Sequence, residues 1–277
     1  NAFSFMDPLI LERGLTSGKV SLIVQSGMLS AGFLVDIMSH GIMGISKVCS
    51  IGNKIDVNEC DLLPALLDDP DTSAVGMYLE SLPDAGRFAE FCRKSGKPLV
   101  VLKSGKSKKG AEAAMSHTAA MASNHRVVQG VLAQTGVHEA TDFKQMMDLC
   151  RTLAMYPSRP AGPGRIAVLT FSGGAGIVGS DFLEEHGLTV ADLSPQCTKE
   201  LAELYPSWMP VANPVDIWPA IERHIGTGVD VYGKSLESVF SDPGVDGALM
   251  LVMAGSTRIM MNLADMAEKS RRHQKPV

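Results

Sequence analysis

Two adjoining stretches, KVSLIVQSG at residues 19–27 and LSAGFLVDIMSHG at residues 29–41, carry the clearest indication of fold class. The first is a near-continuous apolar run ending in a small polar turn, which is typical of a strand buried on both faces of a parallel sheet. The second spaces its apolar residues as a helix does and ends at a glycine. A strand joined directly to a helix predicts one unit of a parallel α/β sheet.

The same alternation continues through the first half of the chain. Further strands are predicted at residues 45–53, 73–81 and 97–105, and further helices at 57–69, 85–96 and 141–156. Thr141 or Asp142 is expected to cap the last of these helices, because both side chains can accept a bond from a first-turn N–H group. Short connections between strands and helices predict a sheet with helices on both faces.

A proline- and glycine-rich stretch, PSRPAGPG at residues 157–164, interrupts the pattern and predicts a linker. The alternation then resumes, with strands expected at 165–174, 188–194 and 245–255, and helices at 176–187 and 198–205. The sequence therefore predicts two flavodoxin-like (Rossmann-like) parallel-sheet domains. Their expected division is an N-terminal remnant or linker at 1–17, a domain at 18–157, a linker at 158–164 and a domain at 165–277.

Composition excludes several classes of protein. The chain has 277 residues, 45% of them hydrophobic and 20% charged, with a formal net charge of −5. This length is enough for two domains, and the apolar fraction is enough for packed cores. The acidic balance argues against nucleic acid as a partner, and no apolar stretch reaches the ~20 residues that a membrane helix needs.

The two ends and the cysteines indicate where the chain belongs. The N-terminus has no signal-peptide pattern. The chain does not begin with Met, and it ends on a Lys-Pro-Val that usually leads into a strand, so we interpret it as part of a longer protein. Its five cysteines are widely spaced without a C-x-x-C pair, which predicts a reducing, cytoplasmic compartment and no metal site.

Two strand-to-helix turns are candidate anion sites. Gln25-Ser26-Gly27 ends the first strand, and Ser172-Gly173-Gly174-Ala175-Gly176 ends the first strand of the second half. Small residues let N–H groups approach an anion, and the helix dipole favours negative charge there. Neither turn fits G-x-G-x-x-G, and the chain has no P-loop pattern. Close packing alone is the alternative explanation for each turn.

Three other strand ends carry candidate functional residues. Gly52-Asn53-Lys54-Ile55-Asp56 has the composition of an ordinary turn. Glu80 ends an apolar strand, where it could instead cap a helix or lie solvated. The basic segment 103–110 is typical of a solvated, mobile loop, and it leads to His117 between Ser116 and Thr118. Histidine can carry a phosphoryl group or a proton near neutral pH, although a structural role is the alternative.

A family resemblance emerges from these segments taken together. The motifs that carry it, in chain order, are Gln25-Ser26-Gly27, Ser50-Ile51-Gly52-Asn53-Lys54-Ile55-Asp56, Tyr78-Leu79-Glu80, Leu102-Lys103-Ser104-Gly105, Ser116-His117-Thr118, Ser172 to Ile177, and Asn213-Pro214-Val215-Asp216. The chain from residue 18 onward resembles the second domain of NDP-forming acyl-CoA synthetases, relatives of succinyl-CoA synthetase, and the ligase-like domain that follows it. The resemblance therefore implies folds of the succinyl-CoA synthetase type.

The resemblance implies a role for each matching residue. In that family an acyl phosphate passes its phosphoryl group to a histidine and then to ADP, and CoA is the acceptor of the acyl group. His117 matches the phosphorylated histidine, and Glu80 matches the glutamate that binds its other ring nitrogen. The residues that match the phosphate-cradling helix starts are Ser26, Gly27, Gly173, Gly174, Ala175 and Gly176. Active-site support is expected from Asn53, Lys54, Ser116 and Thr118.

The resemblance also implies partners. CoA and ATP or ADP with Mg²⁺ would have their main sites outside this chain, on a CoA-binding Rossmann domain and an ATP-grasp domain in the same chain or a separate subunit. No cofactor is expected to be tightly bound here, the substrate is expected to be a small carboxylic acid, and a homo-oligomer is expected. Two positions depart from the family pattern: Ala119 stands where glycine usually follows the Ser-His-Thr, and Ala175 where proline is frequent.

Two other functions remain open on the sequence alone. Related domain sets are fused to protein acetyltransferases, where they serve as non-catalytic, ligand-sensing regulatory modules. The same domains could also serve only as a scaffold for assembly. Such regulatory modules often lack the histidine, so the presence of His117 favours the ligase.

Overall fold

The computed structural model describes residues 14–118, 125–156, 162–253 and 259–277. The chain divides into two compact units, residues 1–157 and 158–277. Within the described ranges, no helix is both long enough and apolar enough to cross a membrane. Each unit is built on a parallel sheet, which confirms the predicted α/β class.

The first unit alternates strands and helices from its beginning. Its strands are β1 (Ser17–Val24), β2 (Ile45–Ser50), β3 (Ala74–Leu79), β4 (Leu99–Lys103) and β5 (His138–Glu139). Its helices are α1 (Gly27–His40), α2 (Glu59–Asp68), α3 (Ala85–Lys94), α4 (Lys108–Thr118), α5 (His125–Thr135) and α6 (Phe143–Met155). Of the two candidate caps for α6, the structure selects Asp142, whose side chain accepts from the Gln145 N–H group.

The five strands lie parallel in the order β2-β1-β3-β4-β5. Alternate strand residues supply two apolar layers, as burial on both faces requires. Leu22, Tyr78 and Leu102 pack with residues of α1 and α6 on one face. Ile23 and Met77 pack with residues of α2, α3 and α5 on the other. The carboxyl ends of the central strands therefore emerge together between two covered faces.

The second unit has a smaller sheet centred on one strand. Its strands are β6 (Arg165–Thr170), β7 (Thr189–Val190), β8 (Val215–Asp216) and β9 (Gly247–Leu251). Its helices are α7 (Gly173–Glu185), α8 (Pro195–Ala202), α9 (Trp218–His224), α10 (Val231–Ser241) and α11 (Leu263–His273). The apolar core includes Tyr232 and Phe240 of α10, both of which are buried.

Some predicted boundaries in the chain were wrong. The strand expected at 45–53 ends at Ser50, and the helix expected at 198–205 ends at Ala202. Beyond Ala202 the chain turns, with Leu204 and Tyr205 each donating to a carbonyl three residues back, before Pro206. Most of the expected linker at 158–164 lies outside the described residues. Only residues 162–164 of this linker are described.

Asn213 completes one side of β6. Strand β9 pairs along β6 from Ile166 to Thr170, so β7 and β8 share the opposite side, at its beginning and its end. Between them the Asn213 side chain accepts from Val168 N–H at 2.8 Å. Its Nδ2 donates to the carbonyls of Ile166 (3.0 Å) and Ala191 (2.9 Å). One amide side chain thus supplies hydrogen bonds that a continuous neighbouring strand would make.

We expect Asn213→Ala to lower the free energy of unfolding by about 2–3 kcal/mol, because it removes three partly buried hydrogen bonds of about 1 kcal/mol each. Urea denaturation followed by circular dichroism measures the change. Asn53→Ala is the control, since Asn53 is exposed and its side chain has no hydrogen bond to a described residue. Equal effects of the two substitutions would contradict the bridging role of Asn213.

Candidate active site

The carboxyl ends of β1, β3 and β4 lie side by side. Val24 pairs with Tyr78, and Leu79 pairs with Lys103. The residues that follow these strands, beginning with Gln25, Glu80 and Ser104, therefore share one edge of the sheet. In open α/β sheets this edge is where loops and helix starts create binding sites.

Gln25 joins β1 to the end of β3 through its side chain. Its Oε1 accepts from the N–H groups of Glu80 (2.8 Å) and Ser81 (3.0 Å). Its Nε2 donates to the Ser81 hydroxyl at 3.0 Å. The residue is only 2% exposed, so these bonds are shielded from water. In the sequence Gln25 belongs to a turn motif, from which these buried hydrogen bonds could not be predicted.

Two buried lysines hold the carbonyls of the same dipeptide. Lys103 Nζ donates to the Glu80 carbonyl at 2.8 Å and also to the Ser104 carbonyl. Lys54 Nζ donates to the Ser81 carbonyl at 2.7 Å. With Gln25 on the two N–H groups, side chains satisfy every main-chain polar group of the dipeptide. We call Gln25, Lys54 and Lys103 the Glu80–Ser81 clamp.

The Glu80 side chain lies against the sheet rather than in solvent. Glu80 is 8% exposed, and its Oε1 accepts from the Tyr78 hydroxyl at 3.3 Å. Both alternatives raised for Glu80, a helix cap and a solvated strand end, are therefore wrong. The cap of α3 is Asp84, whose side chain accepts from Arg87 N–H. Burial also raises the pKa of Tyr78, so its hydroxyl keeps the proton it donates.

Lys54 also forms a buried ion pair that sequence analysis missed. Its Nζ lies 2.7 Å from Glu59 Oε2, and the two side chains are 4% and 1% exposed. Lys54 has the left-handed φ of 57° that a tight turn after Gly52 requires. Burial lowers the pKa of Lys54, while Glu59 opposes that shift. The turn predicted from residues 52–56 is present at Gly52 and Asn53, but the burial of Lys54 was not predicted.

Lys103 corrects the expectation of a wholly solvated basic loop. Lys103 is 3% exposed, because it is the last residue of the buried strand β4 and its ammonium group donates to the Glu80 carbonyl. Farther along, Lys106 pairs with Glu139 at 2.6 Å. Burial lowers the pKa of Lys103 to about 8, with Lys54 adding to the shift and Glu80 opposing it. Lys106 and Glu139 are the other charged groups that act on it, in opposite directions.

The lowered pKa of Lys103 predicts that its contribution to stability depends on pH. The unfolded chain binds this proton more tightly than the folded one, so folding is penalised below pH 8 and the penalty disappears as pH rises toward the ordinary lysine range. Between pH 7.5 and 9.5 we expect wild type to gain about 2 kcal/mol of unfolding free energy relative to Lys103→Met. Urea denaturation at both pH values measures it.

The control for this comparison is Lys94→Met, which removes an exposed lysine at the end of α3. It reports how much the removal of one surface charge alters the pH dependence that all other groups create. A Lys103→Met variant whose difference from wild type shifted with pH no more than the control would contradict the buried-cation interpretation.

The two helix starts differ in how they are capped. Ser26 accepts from Leu29 N–H at 3.3 Å, and nothing lies within 4 Å of where a Gly27 side chain would begin. Ser172 makes no side-chain cap bond to α7. A Cβ on Gly176 would meet Pro214 and Thr170 at 3.0 Å, so close packing explains that glycine. The Asp216 carboxylate lies beside Gly173, 3.5 Å from its Cβ position.

The remaining predicted residues are placed less completely. Ser116, His117 and Thr118 belong to the last turn of α4, and their side chains lie outside the described part of the structure. Gly174 is exposed and Ala175 is partly exposed, both in the first turn of α7. The structure therefore brings together Glu80, Lys54 and the start of α1, and leaves the position of the His117 imidazole as a prediction.

The metal-ligating side chains of the described residues do not gather into a metal site. Among them no cluster of three His, Cys, Asp or Glu side chains has that arrangement. All five cysteines are free thiols. Burial raises the pKa of Cys60 to about 11 and that of Cys150 to about 12, so these two thiols stay protonated near neutral pH.

Comparison with known proteins indicates the class of the first unit. The family described as succinyl-CoA ligase like flavodoxin domain matches residues 17–153, which span the first sheet and its helices. The sheet and helices of the first unit thus correspond to a succinyl-CoA ligase like flavodoxin domain.

Longer relatives extend the match across both units. Acetate–CoA ligase (ADP-forming) II of Archaeoglobus fulgidus is 32% identical over 252 residues, which cover 90% of this chain and 37% of that protein. The alpha subunit of acetate–CoA ligase (ADP-forming) II of Pyrococcus furiosus is 34% identical over 231 residues, 83% of this chain and 48% of the subunit. Residues 17–153 therefore match the succinyl-CoA ligase like flavodoxin domain, and over most of its length the chain is similar to ADP-forming acetate–CoA ligases. It spans between about a third and a half of the length of these relatives.

A solved structure agrees with this placement. The dinucleotide forming acetyl-coenzyme A synthetase 1 of Ca. Korarchaeum cryptofilum, solved in complex with phosphate and ADP, superimposes with a TM-score of 0.77. It is 26% identical, and the match covers 94% of this chain and 55% of that one.

Proposed function

We propose that this chain is the phosphohistidine-bearing part of an ADP-forming acyl-CoA synthetase, which interconverts acyl-CoA, ADP and phosphate with a carboxylic acid, ATP and CoA. The names of its relatives and their match over most of the chain support this proposal. The observation that carries it is the buried glutamate held by the Glu80–Ser81 clamp, at the end of a strand where the family needs a partner for histidine.

The proposed chemistry moves one phosphoryl group through His117. A ring nitrogen of His117 attacks the γ-phosphorus of ATP, forming a P–N bond as the bond to the ADP oxygen breaks. The substrate carboxylate then takes the phosphoryl group and restores the free imidazole. The CoA thiol attacks the acyl carbon and releases phosphate.

Glu80 is proposed to accept a hydrogen bond from the N–H of the other ring nitrogen of His117. This bond would fix which nitrogen is the nucleophile and would stabilise the positive charge that develops on the ring. Tyr78 supports the role, because its hydroxyl already donates to one Glu80 oxygen and so orients the carboxylate.

The first turns of α1 and α7 are each proposed to donate main-chain N–H groups to a phosphoryl group. Ser26 and Gly27 begin α1, and Gly173 to Gly176 begin α7. The start of α7 supports this role, because none of its first-turn N–H groups donates a hydrogen bond to the Ser172 side chain. Lys54 would contribute by holding Ser81, and Asn53, Ser116 and Thr118 would line the site.

The proposed partners are a CoA-binding Rossmann domain and an ATP-grasp domain, in the same chain or another subunit. One relative is named an alpha subunit, which supports division between subunits. Mg²⁺ is proposed to bind with the nucleotide on the partner domain, where it would neutralise phosphate charge. A small carboxylic acid as substrate, a cytoplasmic location and homo-oligomerisation complete the proposal; the free thiols are consistent with the compartment.

The test is to incubate the complete enzyme with γ-labelled ATP and Mg²⁺ and to examine the protein for bound label. We expect label that is lost in acid and retained in base, as a phosphoramidate bond requires. An enzyme that binds ATP and acquires no label would contradict the proposal and favour the regulatory module.

A further inference from the structure

The Glu80–Ser81 clamp draws its three side chains from three neighbouring segments. Gln25 follows β1, Lys54 lies in the turn after β2, and Lys103 ends β4. All three converge on the main chain of Glu80 and Ser81 and not on the Glu80 carboxylate. They therefore determine where the main chain of Glu80 lies, while its carboxylate accepts from the Tyr78 hydroxyl.

This arrangement is costly to maintain and so calls for a reason. At a strand end open to solvent, water would form hydrogen bonds with the main-chain N–H and carbonyl groups, and no side chain would be needed. Here the dipeptide is buried, and two ammonium groups are buried with it. Burying a charged group is unfavourable unless hydrogen bonds compensate it. Lys54 has a second partner in Glu59, whereas the described bonds of Lys103 are to main-chain carbonyls only.

We infer that Gln25 and Lys103 are positioning residues for phosphoryl transfer, holding Glu80 where its carboxylate meets the imidazole of His117. This inference rests on the proposed function. Neither residue touches the transferred group; each acts through the main chain of Glu80. Lys54 is left out, because its ion pair with Glu59 gives it a separate structural role.

The expected effect follows from the geometry of hydrogen bonding. A carboxylate–imidazole bond weakens steeply when its atoms shift by a fraction of an ångström or its angle bends. Residues that orient metal-ligating side chains typically change affinity or activity by about 10–100-fold when they are replaced, and we expect an effect of the same order for residues that orient Glu80. Gln25→Met has similar length and no acceptor for the Glu80 and Ser81 N–H groups. We expect it to slow labelling of the enzyme by about 10-fold or more.

The decisive experiment is a double-mutant cycle on the complete enzyme. Single-turnover labelling by γ-labelled ATP is timed for wild type, Gln25→Met, Glu80→Gln and the double variant. If Gln25 acts through Glu80, the double variant is no slower than Glu80→Gln, because the carboxylate that Gln25 positions is already gone. Losses that multiply would overturn the inference, as would a Gln25→Met enzyme that labels at the wild-type rate.

Conservative variants separate positioning from folding. Gln25→Glu keeps an acceptor for both N–H groups and can accept from the Ser81 hydroxyl, so it is expected to restore most of the rate lost in Gln25→Met. The KM for ATP should stay unchanged in all these variants. Should Gln25→Met not fold, the same cycle is run with Lys103→Met, which removes the donor to the Glu80 carbonyl and leaves the two N–H bonds.

The two proposals fail in different ways. Absence of label on wild type would overturn the proposed function and this inference together. Label on wild type that is lost on replacement of Glu80, with no effect of Gln25→Met or Lys103→Met, would overturn the inference alone.

Discussion

Replacing His117 by alanine is expected to abolish the acid-labile label that γ-labelled ATP leaves on the enzyme. The proposed relay has a single covalent carrier, and alanine offers no nucleophile in its place. The expected reduction in the overall reaction is correspondingly complete, to the background rate, because both substrates reach the phosphoryl group only through this residue.

Chemical stability of the label identifies the residue type. A phosphoramidate on histidine is lost in acid and kept in base, whereas phosphate esters on Ser116 or Thr118 would survive acid. A carboxyl phosphate on Glu80 would be destroyed by base. Acid-stable label, or acid-labile label that persists in His117→Ala, would therefore contradict the assignment of His117.

The matched control is His186→Ala. His186 is exposed at the end of α7, and its Nδ1 contacts the Phe182 carbonyl at 2.8 Å. It should label as wild type does, which shows that removing a histidine is harmless in itself. ATP binding is measured in parallel, so that a variant that has merely lost nucleotide is recognised.

Lys54→Met is expected to lower the free energy of unfolding of the first unit by about 3–5 kcal/mol. The substitution removes the cation beside Glu59 Oε2 and leaves a carboxylate that is 1% exposed, whose Oε1 accepts no hydrogen bond from a described residue. It also deprives the Ser81 carbonyl of its donor. Thermal and urea denaturation followed by circular dichroism measure the loss.

A second substitution tests the cause. In Lys54→Met/Glu59→Met both charges are gone, and most of the lost stability should return, since apolar side chains can replace a buried pair at little cost. Lys144→Met is the matched surface control, because Lys144 lies 2.5 Å from Asp148 but is largely exposed. It should cost less than 1 kcal/mol. A double variant as unstable as Lys54→Met would show that the ion pair is not the cause.

The long, strongly apolar strands of the first unit could be predicted from the sequence. A central parallel strand must be apolar on both faces, so the continuous apolar runs at residues 20–24 and 74–79 predict such strands. Two-residue strands cannot, because they are too short to show any periodicity. This explains why β5 and β8 were missed and why β7 was expected to be longer.

Part of the candidate site was equally predictable. Glu80 and Lys54 stood in motifs at strand ends, and strand ends of a parallel sheet must converge. The burial of Lys103 and the pairing of Glu59 were not predicted, because a charged residue at an element boundary is usually solvated. One signal was available: Lys103 directly continues an apolar strand, and so does Gln25. A polar residue that directly follows an apolar strand is either exposed to water or buried inside the protein.

The Glu80–Ser81 clamp binds main-chain N–H and carbonyl groups, which every residue except proline possesses. Because Gln25 and Lys103 bind peptide groups, the residue at position 80 can be exchanged without releasing the grip. Different side chains can therefore occupy this strand end: an amide, a shorter acid or an imidazole would each project from the same backbone position. Substitution at position 80 therefore changes the chemistry offered at this strand end, while the hydrogen bonds that fix its main chain remain.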